Sequence, residues 1–510
     1  MAEAPATPPA SEPLEAMGRR LTKDSLLLLS NAILLKGVTI ISSILLARLL
    51  GPGQLGLWAV VTATGGLAWV VADLGLAVAT MATVAERNTD PEARARVQTT
   101  ALFLALGLGG LIVAGYGLIV PLIAAELYQV PEALPLFLLS TVTMFLSLAP
   151  NIFGAILQGQ RRFKALAGLS FALGILNAAA LVLGAWALGL TGAFLASLGT
   201  TAIGWAVYLY FFRGTDRIRW SPSYFRWDVG KRLLRIAFPT VTSSMVTLVG
   251  SWLTLTFLTL ASGQYDLVGQ YSVAWRVSAF VVFPSSAIFG ALFPMAAETA
   301  RSDPVLFSRT FRQTLRYTLI VSIPISLLLG VLAPEIVGLL YGAEYLGAAP
   351  LLALLVPAGL LLALTAWGST LFVVRESMFQ GATMVAIAVI LQCIAGAVLI
   401  PTLLGLGIVA STLLHYFTLV VLTPVFLRGR PTQPELRRGF HLALLAAAGL
   451  LAAGIVSTQL GFLWRLVLLG SVLVAYIGYV QARVLTATDR RFLRSLMAGA
   501  ARRLGIRRAR

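Results

Sequence analysis

Long apolar runs, interrupted at short intervals by glycine, proline and arginine, dominate the chain from residue 25 onward. Fourteen can be drawn: 25–48, 55–82, 97–124, 133–158, 165–188, 191–212, 233–261, 268–296, 313–340, 348–374, 379–401, 405–427, 439–459 and 461–481. A helix needs about 20 apolar residues to cross the hydrocarbon core of a bilayer, and every run reaches that length. The pattern predicts an all-α polytopic membrane protein with about 14 transmembrane helices, spans 1–14. Composition agrees, since 58% of the 510 residues are hydrophobic and only 11% charged. Soluble domains carry about a quarter charged residues.

The charges that remain are sorted by side. The net charge is +18, and 34 of the 38 basic residues fall in the tails and in the loops after spans 2, 4, 6, 8, 10 and 12. Acids such as Glu126, Glu132, Asp266, Glu335 and Glu344 collect on the other side. This positive-inside pattern predicts a multi-pass membrane protein with both termini in the cytoplasm. Topology accounts for the basic excess, so nucleic acid is not an expected partner. Residues 1–24 lack an apolar core and read as a disordered cytoplasmic tail rather than a signal peptide. Residues 485–510 carry Phe492, Leu493, Leu496 and Leu504 among arginines, the pattern of a basic amphipathic cytoplasmic tail on anionic lipid.

The runs also repeat. Gly56-Leu-Trp58 in span 2 matches Gly269-Gln-Tyr271 in span 8, and Gly154-Ala-Ile-Leu157 in span 4 matches Gly368-Ser-Thr-Leu371 in span 10. Two copies of a six-helix unit with the same orientation follow, as in transporters built from parallel repeats. The expected organisation is an N-lobe over 25–213, an inter-lobe loop over 214–232 and a C-lobe over 233–427. Two further helices occupy 428–484.

No phosphate-binding loop, zinc-protease motif or nucleophile elbow occurs, and no soluble region is large enough for an active site. The expectation is not an enzyme, with no metal and no cofactor beyond a coupling ion, proton or sodium. His415, His441 and the single Cys393 read as packing residues. Chemistry is left to polar groups inside the membrane. Lys36 in span 1 and Asp73 in span 2 lie about 20–30 Å from their shared turn along the helices, so a salt-bridged or cavity-lining pair is feasible. Asp73 could alternatively bind a proton or cation. Arg276 lies within span 8, and Thr240, Ser243, Thr247 and Ser251 form a hydroxyl stripe along span 7. Charges at such depth are costly and usually face a bundle interior or a wet cavity. A cavity holding Lys36, Asp73, Arg276 and the stripe would attract anions, and hydroxyls suit sugars.

Four segments carry a family resemblance. Ala47-Arg-Leu-Leu-Gly-Pro-Gly-Gln-Leu-Gly-Leu-Trp58 resembles the first-loop motif of bacterial polysaccharide flippases, with Leu55 where an aromatic is common. Ala72-Asp-Leu-Gly-Leu76, Leu157-Gln-Gly-Gln-Arg-Arg-Phe163 and Tyr341-Gly-Ala-Glu-Tyr-Leu-Gly-Ala-Ala349 resemble later stretches of the same family. The resemblance, over about 25–427, implies a member of the multidrug/oligosaccharidyl-lipid/polysaccharide (MOP) exporter superfamily. It implies flipping of undecaprenyl-pyrophosphate-linked sugars by alternating access, for cell-surface polysaccharide synthesis. Expected partners are the lipid-linked glycan, membrane lipids, and a polysaccharide polymerase with its chain-length proteins. The resemblance makes the first-loop motif structural rather than substrate-binding. The competing readings are a lipid II flippase, a cation-coupled multidrug antiporter, and a non-transport scaffold of a polysaccharide assembly complex.

Overall fold

The computed structural model describes residues 14–87, 90–215, 222–283, 285, 304–374, 378–426 and 433–481. Among them the chain is helical almost throughout, with no strand. Eleven helices are long and apolar enough to cross a membrane. Two of these are folded double, at Gly51 between spans 1 and 2 and at Leu188–Gly189 between spans 5 and 6. The helix Tyr265–Ser278 lies at the start of span 8, whose residues from 286 on lie outside the described residues. The first helix already begins at Leu14, inside the stretch read as a tail. Leu14, Glu15, Ala16 and Met17 are good helix formers, and no proline separates them from span 1. The tail over 485–510 lies outside the described residues.

The turn between spans 1 and 2 shows how local chemistry places the functional region. Gly51 adopts φ 71° and ψ 172°, a conformation that glycine reaches without a Cβ clash. Pro52 follows at the start of the next arm, where its missing N–H costs nothing. Elsewhere the bundle is inverted relative to a soluble protein. Leu118 (81% exposed) and Phe379 (85%) point outward, whereas Thr100, Thr318 and Ser322 are buried.

Internal prolines leave carbonyls without an N–H four residues on, and neighbouring helices supply aromatic donors. Pro150 in span 4 frees the Leu146 carbonyl, which accepts from the Trp205 indole of span 6. Pro324 in span 9 frees that of Ile320, and the Tyr476 hydroxyl of span 14 donates to it at 3.2 Å. Arg465 bonds Glu335 at 2.8 Å. Span 14 is thus fastened to span 9 and to the short helix Ala333–Tyr341 by polar contacts.

Span 3 begins with a conventional cap. The Asp90 carboxylate accepts from the Glu92 and Ala93 amides, both at 3.0 Å, ahead of Pro91 in the first turn. The Ala93 bond holds the Asp90 carboxyl below the usual carboxylate range. A depressed value means the cap is fully present above the ordinary carboxylate pKa and is lost as pH falls through the lowered one. Asp90→Ala is expected to speed amide exchange at Glu92 and Ala93 at neutral pH, read by hydrogen–deuterium exchange. Unchanged exchange there would remove the cap from the account of span 3.

Candidate functional site: a polar cavity beneath a closed clasp

On the arginine-poor side of the bundle, the two halves of the chain are clasped together. Spans 2 and 8 cross so closely that a Cβ on Gly56 would collide with the Tyr265 carbonyl oxygen, and one on Gly269 with that of Pro52. Both contacts join residues 213 positions beyond their counterparts, so the crossing has two-fold pseudosymmetry. Around it, the Arg48 guanidinium donates to the carbonyls of Leu339 and Leu340, and the Tyr345 hydroxyl donates to that of Ala47 at 2.8 Å. The first-loop motif and the Tyr341–Ala349 segment, far apart in sequence, are therefore two sides of one contact. A hydroxyl chain runs below them. Trp252 Nε1 donates to Thr64 Oγ1 at 3.1 Å, which meets Tyr128 Oη at 3.1 Å, which meets Thr256 Oγ1 at 2.9 Å.

Under the clasp lies a cavity of about 330 Å³. Span 2 contributes Thr62 and Gly66, span 7 Thr247, Ser251 and Thr254, span 8 Tyr271, Ser272, Trp275 and Arg276, span 11 Gln392, and span 12 Thr412, His415 and Tyr416. Three of the residues singled out from sequence, Thr247, Ser251 and Arg276, come together here. The Arg276 guanidinium makes no ion pair or hydrogen bond with a described residue, and no carboxylate lines the wall. A cation held in a low-dielectric pocket without a counter-charge attracts anions. Thr240 and Ser243 belong to the part of span 7 whose side chains lie outside the described residues.

Lys36 and Asp73 are not among the cavity's lining residues, and no ion pair joins them. Lys36 Nζ lies over the Phe283 ring at 5.3 Å. Asp73 Oδ1 accepts from Asn151 Nδ2 at 2.7 Å, and its carboxylate also takes the Gly75 amide. Depth explains the separation. The cavity's residues on span 2 lie about 6–17 Å from Leu55, whereas Asp73 is about 27 Å along the same helix.

The surroundings of Asp73 depart from regular helix on three sides. Span 2 breaks directly after it, at Leu74 (φ 51°) and Gly75 (φ 70°). Span 3 widens to a π-turn over Ala105–Gly109, where a Cβ on Gly109 would stand 2.7 Å from the Ala72 carbonyl oxygen. Span 4 carries Pro150 beside Asn151. Asp73 thus sits at a break in span 2, tied to span 4 through Asn151 within the first half of the chain.

Sequence reasoning missed His415, Gln392 and the aromatic pair Trp275 and Tyr416. A signal was present on span 12, where Ser411, Thr412, His415 and Thr418 recur at helical spacing and are all buried.

The fold of this helical bundle is that of solved proteins of the MOP superfamily. A multidrug resistance MATE family transporter of that superfamily, solved in an inward-facing conformation, is similar with a TM-score of 0.63 at 15% identity, over 84% of this chain and 98% of that one. The lipid II flippase MurJ, in an inward closed conformation, gives 0.64 at 13% identity over 89% and 99%. A MOP superfamily transporter from Pyrococcus furiosus Vc1 gives 0.50 at 16% over 82% and 96%. The chain belongs to the polysaccharide biosynthesis protein family, whose model matches residues 45–350. No curated protein matches the sequence.

Proposed function

We propose that the protein is a flippase carrying undecaprenyl-pyrophosphate-linked oligosaccharide across the bacterial cytoplasmic membrane by alternating access, for cell-surface polysaccharide synthesis. The observation that carries this reading is Arg276, set without an acidic partner in a cavity of hydroxyls, amides and aromatic rings. Pyrophosphate matches a guanidinium in charge and in fork geometry, and Thr247 and Ser251 offer hydroxyls to sugars. With both termini cytoplasmic, the clasp closes the outer side and the cavity is the blind end of a path from the cytoplasm. Lys36 lies nearer the entrance of that path. A coupling ion, proton or sodium, finds an intramembrane carboxylate at Asp73.

A second cavity supports an amphipathic substrate. About 650 Å³ lie between spans 9, 13 and 14, walled by residues such as Leu319, Ile323, Leu327, Leu450 and Leu473, with Arg312 and Arg316 at one end. An apolar groove with a basic mouth suits a polyisoprenyl chain whose phosphate stays at the interface, and it gives the last two spans a task. A multidrug antiporter for cationic drugs is disfavoured by the acid-free wall around Arg276.

The test is a flipping assay in proteoliposomes with three fluorescent cargoes: an undecaprenyl-pyrophosphoryl oligosaccharide, lipid II, and a cationic dye. Movement of the first, at least tenfold faster than the others, is the expected result. Preference for lipid II would reassign the protein to peptidoglycan precursor transport. Movement of the dye alone would overturn the reading.

A further inference from the structure

Two polar side chains on the wall of the central cavity are almost fully buried and unsatisfied by protein. His415 is 4% exposed and Gln392 is 6% exposed. The His415 ring lies beside the Ala388 backbone, and its Nδ1 is sealed off from the cavity without a partner. Nε2 is therefore the ring nitrogen that His415 can offer to a ligand, as donor or acceptor according to the tautomer. The Gln392 amide, bonded to no described residue, offers a donor and an acceptor. Buried groups of this kind are normally paired, so two of them in one cavity point to a ligand that supplies hydroxyls.

The rest of the wall narrows the class. Trp275 and Tyr416 stack with centroids 5.8 Å apart and planes inclined by 14°, and His415 meets Tyr416 edge-on at 4.8 Å. Tyr271 and Thr412 hydroxyls bond each other at 3.2 Å. Apolar ring faces beside hydrogen-bonding groups fit a molecule with C–H surfaces and an equatorial set of hydroxyls. Arg276 on the same wall opposes a cation. The volume of about 330 Å³ stands at the small end of ligand pockets, which span about 300–1,000 Å³. It suits a sugar ring or two rather than a whole oligosaccharide.

We propose that His415, Gln392, Trp275 and Tyr416 form a subsite for the neutral sugar next to the pyrophosphate, with His415 Nε2 sharing a hydrogen bond with one of its hydroxyls. The subsite rests on the flippase reading and adds to it a determinant of which first sugar is accepted. A site built to hydrogen-bond a hydroxyl discriminates strongly against ligands that lack it.

The test uses the full chain in lipid nanodiscs, with farnesyl pyrophosphate and its conjugates to glucose, galactose, N-acetylglucosamine, N-acetylgalactosamine and glucuronic acid as probes. At least one neutral conjugate should bind about tenfold tighter than farnesyl pyrophosphate itself, the worth of one or two good hydrogen bonds. His415→Phe and Gln392→Leu should each erase most of that gain while leaving farnesyl pyrophosphate affinity unchanged. Equal affinity of all probes for the wild type would overturn the subsite and leave the flippase reading standing. Tightest binding of the glucuronic acid conjugate would overturn the neutral-sugar assignment. A parallel loss of farnesyl pyrophosphate binding in His415→Phe would make His415 a packing residue and also overturn it. Failure of the wild type to bind any probe would remove both readings together.

Discussion

Gly269→Val is expected to hold the protein away from its clasped state. A valine side chain there must occupy space now filled by the Pro52 carbonyl, and this obstacle is backbone, which no rotamer change relieves. Overpacking of this kind costs about 1–3 kcal/mol, and only the clasped state bears that cost. The population should therefore shift toward the opened state by about 5- to 150-fold. Thr62, on the cavity wall, reports the shift when replaced by cysteine in a Cys393→Ser background, because Cys393 is the chain's one cysteine. Faster labelling of Thr62→Cys by an impermeant maleimide from outside the cell, together with at least tenfold slower flipping, is the predicted outcome. Gly56→Val should do the same through the Tyr265 carbonyl. Labelling as slow as in the parent would mean that the crossing of spans 2 and 8 opens elsewhere.

Arg276→Ala carries the other large effect, and its signature is a divergence between stability and function. Removing one partner of a buried charge pair at a binding interface costs about 2–5 kcal/mol. Binding of a pyrophosphate-bearing lipid should thus weaken at least about 30-fold, and flipping should become undetectable. The free protein should lose no stability and should melt at an unchanged or higher temperature, since Arg276 is a desolvated charge with no acidic partner. Thermal unfolding with and without farnesyl pyrophosphate separates the two quantities. The variant should show an unchanged or raised midpoint and no ligand-induced rise. Arg276→Lys should recover part of the binding, because an ammonium keeps the charge but loses the fork. A lowered midpoint with an intact ligand-induced rise would make Arg276 a structural residue.

The fold was legible because bilayer crossing is nearly a one-dimensional property. Apolar length marks each span, and glycine and proline mark the turns. Gly51 and Gly189 fall where the sequence places the ends of spans 1 and 5. The site was legible only in part, because depth along a helix leaves rotation about its axis open. Thr247, Ser251 and Arg276 share a wall, as the stripe on span 7 suggests. Lys36 and Asp73 are close enough in depth to pair, yet Asp73 turns toward Asn151 and Lys36 toward Phe283. The break after Asp73 was hidden as well. Ala72-Asp-Leu-Gly-Leu76 sits well inside a long apolar run, and Leu74 takes a positive φ that nothing in its identity announces. His415 was hidden for a different reason. A lone histidine in an apolar stretch is ordinary, and only its neighbours on spans 8 and 11 give its free nitrogen an address.

The crossing of spans 2 and 8 has an evolutionary consequence. After a gene duplicates and fuses, most positions in the two copies can drift independently, since each packs against neighbours from its own copy. At the pseudosymmetry axis that independence ends. Gly56 answers to Tyr265 and Gly269 to Pro52, so a side chain gained in either copy meets the backbone of the other. The oldest trace of the duplication should accordingly survive as a pair of missing side chains at the seam where the copies touch.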